Sequence, residues 1–253
     1  MTKRVNLGAV SLSVSELGHG RSVIFLHGFP DNGGAWREVA ELLSDRFHCI
    51  LPDQRGYGLS DQPDAVENYT IDKLIGDIDA LADAFSLKQF ALAGHDWGGV
   101  LAWWYAARNG ERLSHLIIAN APHPALFQKA IIDSTDQRLA AQYIARLRQP
   151  GSEVHVPNAT KAMVNWYRAA PFVVPTPDEP AAWPDWVLSE DFTVDVPTLV
   201  LWGWRDTLLL PVLLEDLYNY VPDLQIRRFD QVGHDIIHEI AADVAEAIKD
   251  FLT

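Results

Sequence analysis

The stretch Ala93-Gly94-His95-Asp96-Trp97-Gly98-Gly99 decides the fold of this chain. It follows an apolar, strand-like run at residues 90–93 and precedes a helix-like run at residues 100–105. Small residues around one polar residue, between a strand and a helix, resemble a nucleophile elbow, a sharp turn that lifts one side chain above the end of a sheet. The central residue is commonly Ser, and here it is Asp96. A carboxylate attacks carbon and forms an ester with it, which argues against a serine esterase or lipase.

Outside this stretch, short β-branched runs alternate with helix-like runs. The pattern predicts strands at residues 23–26, 49–51, 90–93, 116–119, 198–202 and 224–229, and helices at residues 35–43, 71–85 and 236–251. Strands alternating with helices are typical of a mostly parallel sheet with helices on both faces. With 253 residues, of which 48% are hydrophobic, the chain is long enough to bury the core of one such α/β domain.

The alternation is interrupted between residues 122 and 196. Helical patterns at residues 128–147 and 161–169 lead into a proline-rich stretch, and nothing there is typical of a core strand. We therefore predict a core domain made of residues 1–121 and 197–253, and a short helical cap made of residues 122–196. The cap would cover the carboxyl edge of the sheet, where open α/β sheets bind ligands.

Composition excludes several classes of partner. The formal net charge is −14, from 34 acidic residues against 20 lysines and arginines. An acidic surface repels nucleic acids and anionic lipids, so we expect a small-molecule substrate and neither of those partners. The single cysteine, Cys49, excludes an internal disulfide, and no metal or cofactor site is indicated. No stretch approaches a membrane span or a long leader, so we expect a cytoplasmic monomer or homodimer.

Two more polar residues follow predicted strands and accompany Asp96. Asp206 follows the strand at residues 198–202, and His234 follows the last strand. In chain order, Asp96, Asp206 and His234 match the nucleophile, acid and base of the α/β-hydrolase arrangement, in which the acid orients the base. The non-catalytic alternatives are that either aspartate caps a helix N-terminus, and that His234, one of nine histidines, has no special role. Asp235 is a neighbouring rival to Asp206.

A further motif, Leu26-His27-Gly28-Phe29-Pro30, resembles the oxyanion loop of the same fold. The backbone N–H groups of Phe29 and Trp97 would face one oxygen of Asp96 and stabilise the oxyanion that forms when water attacks an ester. A simple tight turn is the alternative. Residues 53–61 resemble the DxRGxGxS loop of the superfamily, and we expect them to be structural.

Together these residues resemble the α/β-hydrolase superfamily over nearly the whole chain, and within it the epoxide hydrolases. The narrower resemblance rests on Tyr143, in a helix shortly before Pro150-Gly151, and on Tyr167 in the stretch Asn165-Trp166-Tyr167-Arg168. It implies two cap tyrosines that protonate the epoxide oxygen, since phenols with a pKa near ~10 donate while staying neutral. It also implies a covalent aspartyl ester, which His-activated water hydrolyses to a vicinal diol.

Two alternatives stay open. Dehalogenases of this fold share Asp96, Trp97 and His234, but the fluoroacetate enzymes carry Arg after the nucleophile, and the haloalkane enzymes usually carry Asn or Glu at the position of Phe29. A non-catalytic ligand receptor is the third reading. Only residues 152–163 separate the two tyrosine segments, so we expect either an open site or a displaced Tyr167.

The aromatic residues of the cap and the nearby loops indicate the substrate class. We expect His27, Trp166 and Phe172 to contact the substrate, in a cleft also lined by Phe29, Trp97, Trp183 and Trp186. Such a cleft favours a small, neutral, apolar epoxide.

Overall fold

The computed structural model describes residues 2–253. Eight strands form one sheet: β1 (Thr2–Asn6), β2 (Ser11–Leu17), β3 (Arg21–Leu26), β4 (Phe47–Pro52), β5 (Phe90–His95), β6 (Leu113–Ala119), β7 (Thr198–Gly203) and β8 (Leu224–Phe229). Their order across the sheet is β1-β2-β4-β3-β5-β6-β7-β8. The strands from β3 to β8 pair in parallel, while β1 and β2 pair antiparallel. The prediction of an α/β-hydrolase fold with a mostly parallel sheet is confirmed.

The sequence pattern did not predict β1 and β2. Strand β1 lies at the edge of the sheet, pairs on one side only, and is largely exposed. A strand in that position needs no apolar run, because water covers most of its side chains. Strand β2 alternates serines with Leu12 and Val14, which is the pattern of a half-buried strand.

The helices are α1 (Arg37–Leu43), α2 (Ile71–Ala84), α3 (Trp97–Asn109), α4 (Pro124–Asp133), α5 (Thr135–Ala140), α6 (Gln142–Leu147), α7 (Lys161–Ala169), α8 (Asp185–Ser189), α9 (Ile236–Glu239) and α10 (Ala241–Leu252). No helix in residues 2–253 has the length and apolarity required to cross a membrane.

Helices cover both faces of the sheet, as β3 illustrates. Val23 and Phe25 belong to a core shared with α1 and α10, whereas Ile24 and Leu26 belong to a core shared with α2 and α3. Successive strand residues point to opposite faces, so a continuous apolar run feeds both cores.

Helices α4 to α8 lie between β6 and β7, in the segment predicted as the cap. The helical pattern expected at residues 128–147 is divided into three helices, with breaks at Ser134 and Ala141. Ser134 accepts a hydrogen bond from the N–H of Gln137 and so caps α5. The C-terminal helix is likewise divided at Ile240, whose ψ of 48° leaves the helical region.

Candidate active site

Asp96 occupies a sharp turn between β5 and α3. Its φ of 50° and ψ of −122° are unusual for a residue other than glycine, and such strain persists only where the surroundings impose it. Gly98 permits the tight crossing, because a Cβ there would overlap the carbonyl oxygen of Leu26. Gly28 lies equally close, since a Cβ on it would meet the Asp96 side chain. Asp96 is thus held against the loop that follows β3.

The side chains of Asp96, Asp206 and His234 meet at the carboxyl edge of the sheet. His234 Nδ1 lies 2.7 Å from Asp206 Oδ2, and His234 Nε2 lies 3.4 Å from Asp96 Oδ2. The imidazole therefore bridges two carboxylates that the chain separates by more than a hundred residues. A His held by one carboxylate and directed at another is the geometry of a base with its orienting acid.

Asp206 is buried, with 3% exposure, and its oxygens have several donors. Oδ1 accepts hydrogen bonds from the N–H groups of Leu208 at 2.8 Å and Leu209 at 2.9 Å. Asp206 therefore binds the backbone of the loop after β7 as a helix N-cap residue would, although no α-helix begins directly after it. Its Oδ2 faces His234 Nδ1, so the capping role and the orienting role use different oxygens. Asp235, the rival, lies at the start of α9.

The charges of this cluster depend on one another. Burial would lower the pKa of His234, but hydrogen bonds to Asp206 and Asp96, together with their charges, raise it well above its ordinary value. Burial would raise the pKa of Asp96, but the hydrogen bond and charge of His234 outweigh it, so that this pKa is lowered. Each of these two groups thus stabilises the charged form of the other.

The loop after β3 supplies a backbone donor to Asp96. The N–H of Phe29 donates to Asp96 Oδ1 at 2.9 Å. Two bonds between His27 and Gln54 hold this loop: the Gln54 N–H donates to His27 Nε2 at 3.1 Å, and Gln54 Nε2 donates to the His27 carbonyl at 2.7 Å. The predicted second donor, the N–H of Trp97 at the start of α3, stays a prediction.

The two cap tyrosines lie beside Asp96. Their rings are 6.1 Å apart, and the ring of Tyr167 also packs edge-on against Phe29 and Trp97, at 5.1 Å from each. Tyr143, Tyr167, Asp96 and His234 line one cavity of about 480 Å³. Burial and the charge of Asp96 raise the pKa of both phenols, so both stay protonated. The short segment at residues 152–163 therefore does not displace Tyr167.

Three aromatic side chains predicted at the substrate cleft form hydrogen bonds with backbone. His27 is fully buried, and its ring nitrogens lie against the Gly28 carbonyl and the Gln54 N–H. Trp166 donates from its indole N–H to the Arg55 carbonyl at 2.9 Å. The indole of Trp186 is bound in the same way by the Pro171 carbonyl. These side chains have their polar atoms bound to backbone, and neither His27 nor Trp166 lines the larger cavity, so their contact with substrate stays a prediction.

Phe172 and Trp97 lie where the prediction put them, near Asp96. They line a second, smaller cavity of about 20 Å³ that shares Asp96 and Tyr143 with the larger one. Trp183, by contrast, is 41% exposed. The larger cavity is walled mainly by aliphatic and aromatic side chains, with Arg146, Ser152 and His155 as its other polar residues.

Two residues that support this cluster were not predicted. Asn120, directly after β6, donates from Nδ2 to Asp206 Oδ2 at 2.8 Å and accepts from the Gly203 N–H at 2.7 Å. His95 Nε2 lies 2.9 Å from the His234 carbonyl and so carries the proton of that bond. Asn120 could have been found from the feature that identified Asp206 and His234, because each of the three follows a predicted strand at the carboxyl edge.

One group in the described chain has the ligand types of a metal site. A ring nitrogen of His95, a ring nitrogen of His234 and an oxygen of Asp235 lie within 4.8 Å of one another. Both ring nitrogens of His234 already face carboxylates, however. A metal at this place would have to break the bridge between Asp96 and Asp206.

We expect Asn120→Ala to lower both stability and turnover. The change leaves the buried Gly203 N–H without its partner and removes one donor from Asp206, which costs about 1–3 kcal/mol in the free energy of unfolding. Urea unfolding and turnover measured on the same preparation check this. Asn219→Ala, at an exposed position, is the control. Unchanged turnover in Asn120→Ala would show that His234 does not depend on the hydrogen bond from Asn120 to Asp206.

The chain is similar in sequence and in structure to proteins of a known family. The sequence profile of the alpha/beta hydrolase fold family matches residues 21–168. A solved structure of an epoxide hydrolase from metagenomes of hot environments superposes with a TM-score of 0.93, at 37% identity, over 100% of this chain and 98% of that one.

Two curated relatives are similar over most of their length. Epoxide hydrolase 3 of Xenopus tropicalis is 27% identical, over 91% of this chain and 71% of that protein. The cis-3-alkyl-4-alkyloxetan-2-one decarboxylase of Shewanella oneidensis is 30% identical, over 93% of this chain and 83% of that protein.

Proposed function

This chain belongs to the α/β-hydrolase family and resembles its epoxide hydrolases, and from that premise we propose that it opens epoxides to vicinal diols through an ester on Asp96. One observation carries the proposal: a carboxylate and two neutral phenols face the same cavity. Opening a strained ether requires a nucleophile at carbon and a proton donor at the leaving oxygen. Asp96, Tyr143 and Tyr167 supply both.

In the first step, Asp96 Oδ2 attacks the less hindered or more electrophilic carbon of the epoxide. The new C–O bond forms as the ring C–O bond breaks, and the departing oxygen takes a proton from Tyr143 or Tyr167. The product is a hydroxyalkyl ester of Asp96. The raised pKa of both phenols suits this role, because each remains protonated until a strongly basic alkoxide develops beside it.

In the second step, His234 acts as a base. Ester formation removes the charge of Asp96, which is one of the groups that raise the pKa of His234. The proton of His234 then passes to the tyrosinate left by the first step, and the neutral imidazole accepts another proton from water. The resulting hydroxide attacks the ester carbonyl. The Phe29 N–H stabilises the oxyanion on Oδ1, and the leaving diol oxygen takes the proton back from His234.

Two other activities use the same nucleophile. A dehalogenase would displace halide from carbon, with the Trp97 indole N–H donating a hydrogen bond to the departing halide. It would not need an acid, so the two phenols favour an epoxide over a haloalkane as substrate. The relative from Shewanella oneidensis acts, by its name, on an oxetan-2-one, which is a strained cyclic ester. Its 30% identity makes decarboxylation of such a ring the second candidate.

One experiment separates these activities. The wild-type protein is given an aryl epoxide, a haloalkane and a cis-dialkyl oxetan-2-one, and diol, halide and alkene are measured side by side. We expect diol, and we expect Asp96→Asn to abolish it. Halide or alkene without diol would replace the proposal with the corresponding alternative. No product from any of the three would favour a binding protein.

A further inference from the structure

Arg146 differs from the other arginines of the predicted cap. Residues 122–196 contain four arginines, and three donate to the scaffold. Arg138 and Arg148 bind backbone carbonyls, and Arg168 binds Glu153 and the Gln149 carbonyl. Within residues 2–253 the guanidinium of Arg146 has no such partner. It lines the cavity that holds Asp96.

The position of Arg146 follows from helix α6. Tyr143 and Arg146 are three residues apart and so share one face of the helix, with a rise of about 4.5 Å between them. Both side chains line the cavity, Tyr143 next to Asp96 and Arg146 about one turn further along the helix. His155, from the short 3-10 helix Ser152–His155, lines the same cavity and adds a hydrogen-bond donor.

Between these polar groups the wall is largely apolar, with Leu147, Val156 and Leu208 among its residues. An unpaired guanidinium beside such a wall suits an elongated ligand that has an apolar body and an anionic end. A carboxylate matches it best, because its two oxygens can accept from the guanidinium fork. The reacting end of the ligand would lie at Asp96 and the anionic end at Arg146.

We propose that Arg146 forms a distal anion site, so that the cavity prefers epoxides with a carboxylate at the far end of an apolar chain. The inference rests on the proposed function for the reaction itself. It revises the expectation of a neutral, apolar substrate, which rested on the aromatic residues predicted around the cleft, because Arg146, although exposed, adds a positive charge to the wall of this cavity. A carboxylate directly on the epoxide ring would instead lie beside Asp96 and be repelled.

The test compares terminal epoxides whose carboxylate is separated from the ring by an increasing number of methylenes, each with its neutral methyl ester. We expect the wild-type kcat/KM to favour the acid by about 2–10-fold at the best length, as for an ion pair with an exposed guanidinium. The preference should appear mainly in KM and weaken with added salt. Arg146→Gln should bring the acid-to-ester ratio close to one, while Lys88→Gln, an equal charge change at an exposed position, should not.

A binding measurement separates this inference from the proposed function. Octanoate and methyl octanoate are titrated into the wild type and into Arg146→Gln, with no reaction required. Tighter binding of octanoate that is lost in Arg146→Gln supports the anion site even if no epoxide is turned over. If epoxides are turned over but the acid-to-ester ratio is near one in the wild type, or survives in Arg146→Gln, the inference is overturned and the proposed function stands.

Discussion

His234→Ala is expected to stop turnover while leaving a covalent ester on Asp96. Attack by Asp96 on the epoxide needs no base, whereas hydrolysis of the ester does, so only the second step is lost. A positioned general base contributes about 10²–10⁴-fold in rate, and release of the ester should slow by that factor. Intact-protein mass spectrometry after mixing with an aryl epoxide should show an increase equal to the mass of the whole epoxide.

Two controls make the His234→Ala result specific. Asp96→Asn combined with His234→Ala should show no adduct, and His19→Ala, at an exposed position, should turn over normally. His234 also opposes the burial that raises the pKa of Asp96, so mixing is done near pH ~8 to keep Asp96 ionised after His234 is removed. If no mass increase appears with any epoxide or haloalkane in a panel, Asp96 is not the nucleophile.

The second large effect concerns the two cap tyrosines. Tyr143→Phe and Tyr167→Phe should each lower epoxide turnover, and the double variant should nearly abolish it, since loss of proton donation removes about 10²–10⁴-fold in rate. The loss should fall on formation of the ester, which a rapid-quench measurement follows separately from its hydrolysis. Any release of halide from haloalkanes should be unaffected, because a halide leaves without a proton.

The matched control for the tyrosine variants is Tyr218→Phe, at a residue that is 62% exposed. It removes the same hydroxyl far from any proposed chemistry and should behave as the wild type. Full epoxide turnover in the double variant would mean that another group, or water, protonates the oxygen. In that case the resemblance of Tyr143 and Tyr167 to the epoxide hydrolase pair would be misleading.

The core of the fold follows from local patterns. The six predicted strands correspond to β3 to β8, because five contain apolar runs of suitable length and the last alternates apolar with polar residues. The sequence also predicted that Asp96, Asp206 and His234 lie at one edge of the sheet, because residues that follow parallel strands share its carboxyl edge. The structure brings their side chains together, and their catalytic roles remain to be measured.

Local sequence patterns predicted the structure less well where contacts with distant segments determine the bounds of a strand or helix. Strand β1 has no strand pattern of its own and is held by pairing with β2, which in turn pairs with β4. The cap helices end at Ser134 and Ala141, inside one continuous helical pattern. Propensity in such a pattern permits a longer helix, and packing determines where the chain turns.

The sequence by itself determined the parallel part of the sheet, the turn that carries Asp96, and the placement of polar residues at one edge. Those features depend on the period of apolar residues and on small residues at a tight turn, which a chain segment carries by itself. Only the tertiary structure decided that Asn120 binds Asp206, that His27 and Trp166 form hydrogen bonds with backbone, and that Arg146 lines the cavity without a partner. The physical reason is that a side chain's partner comes from distant parts of the chain, so its availability to a ligand depends on every contact around it.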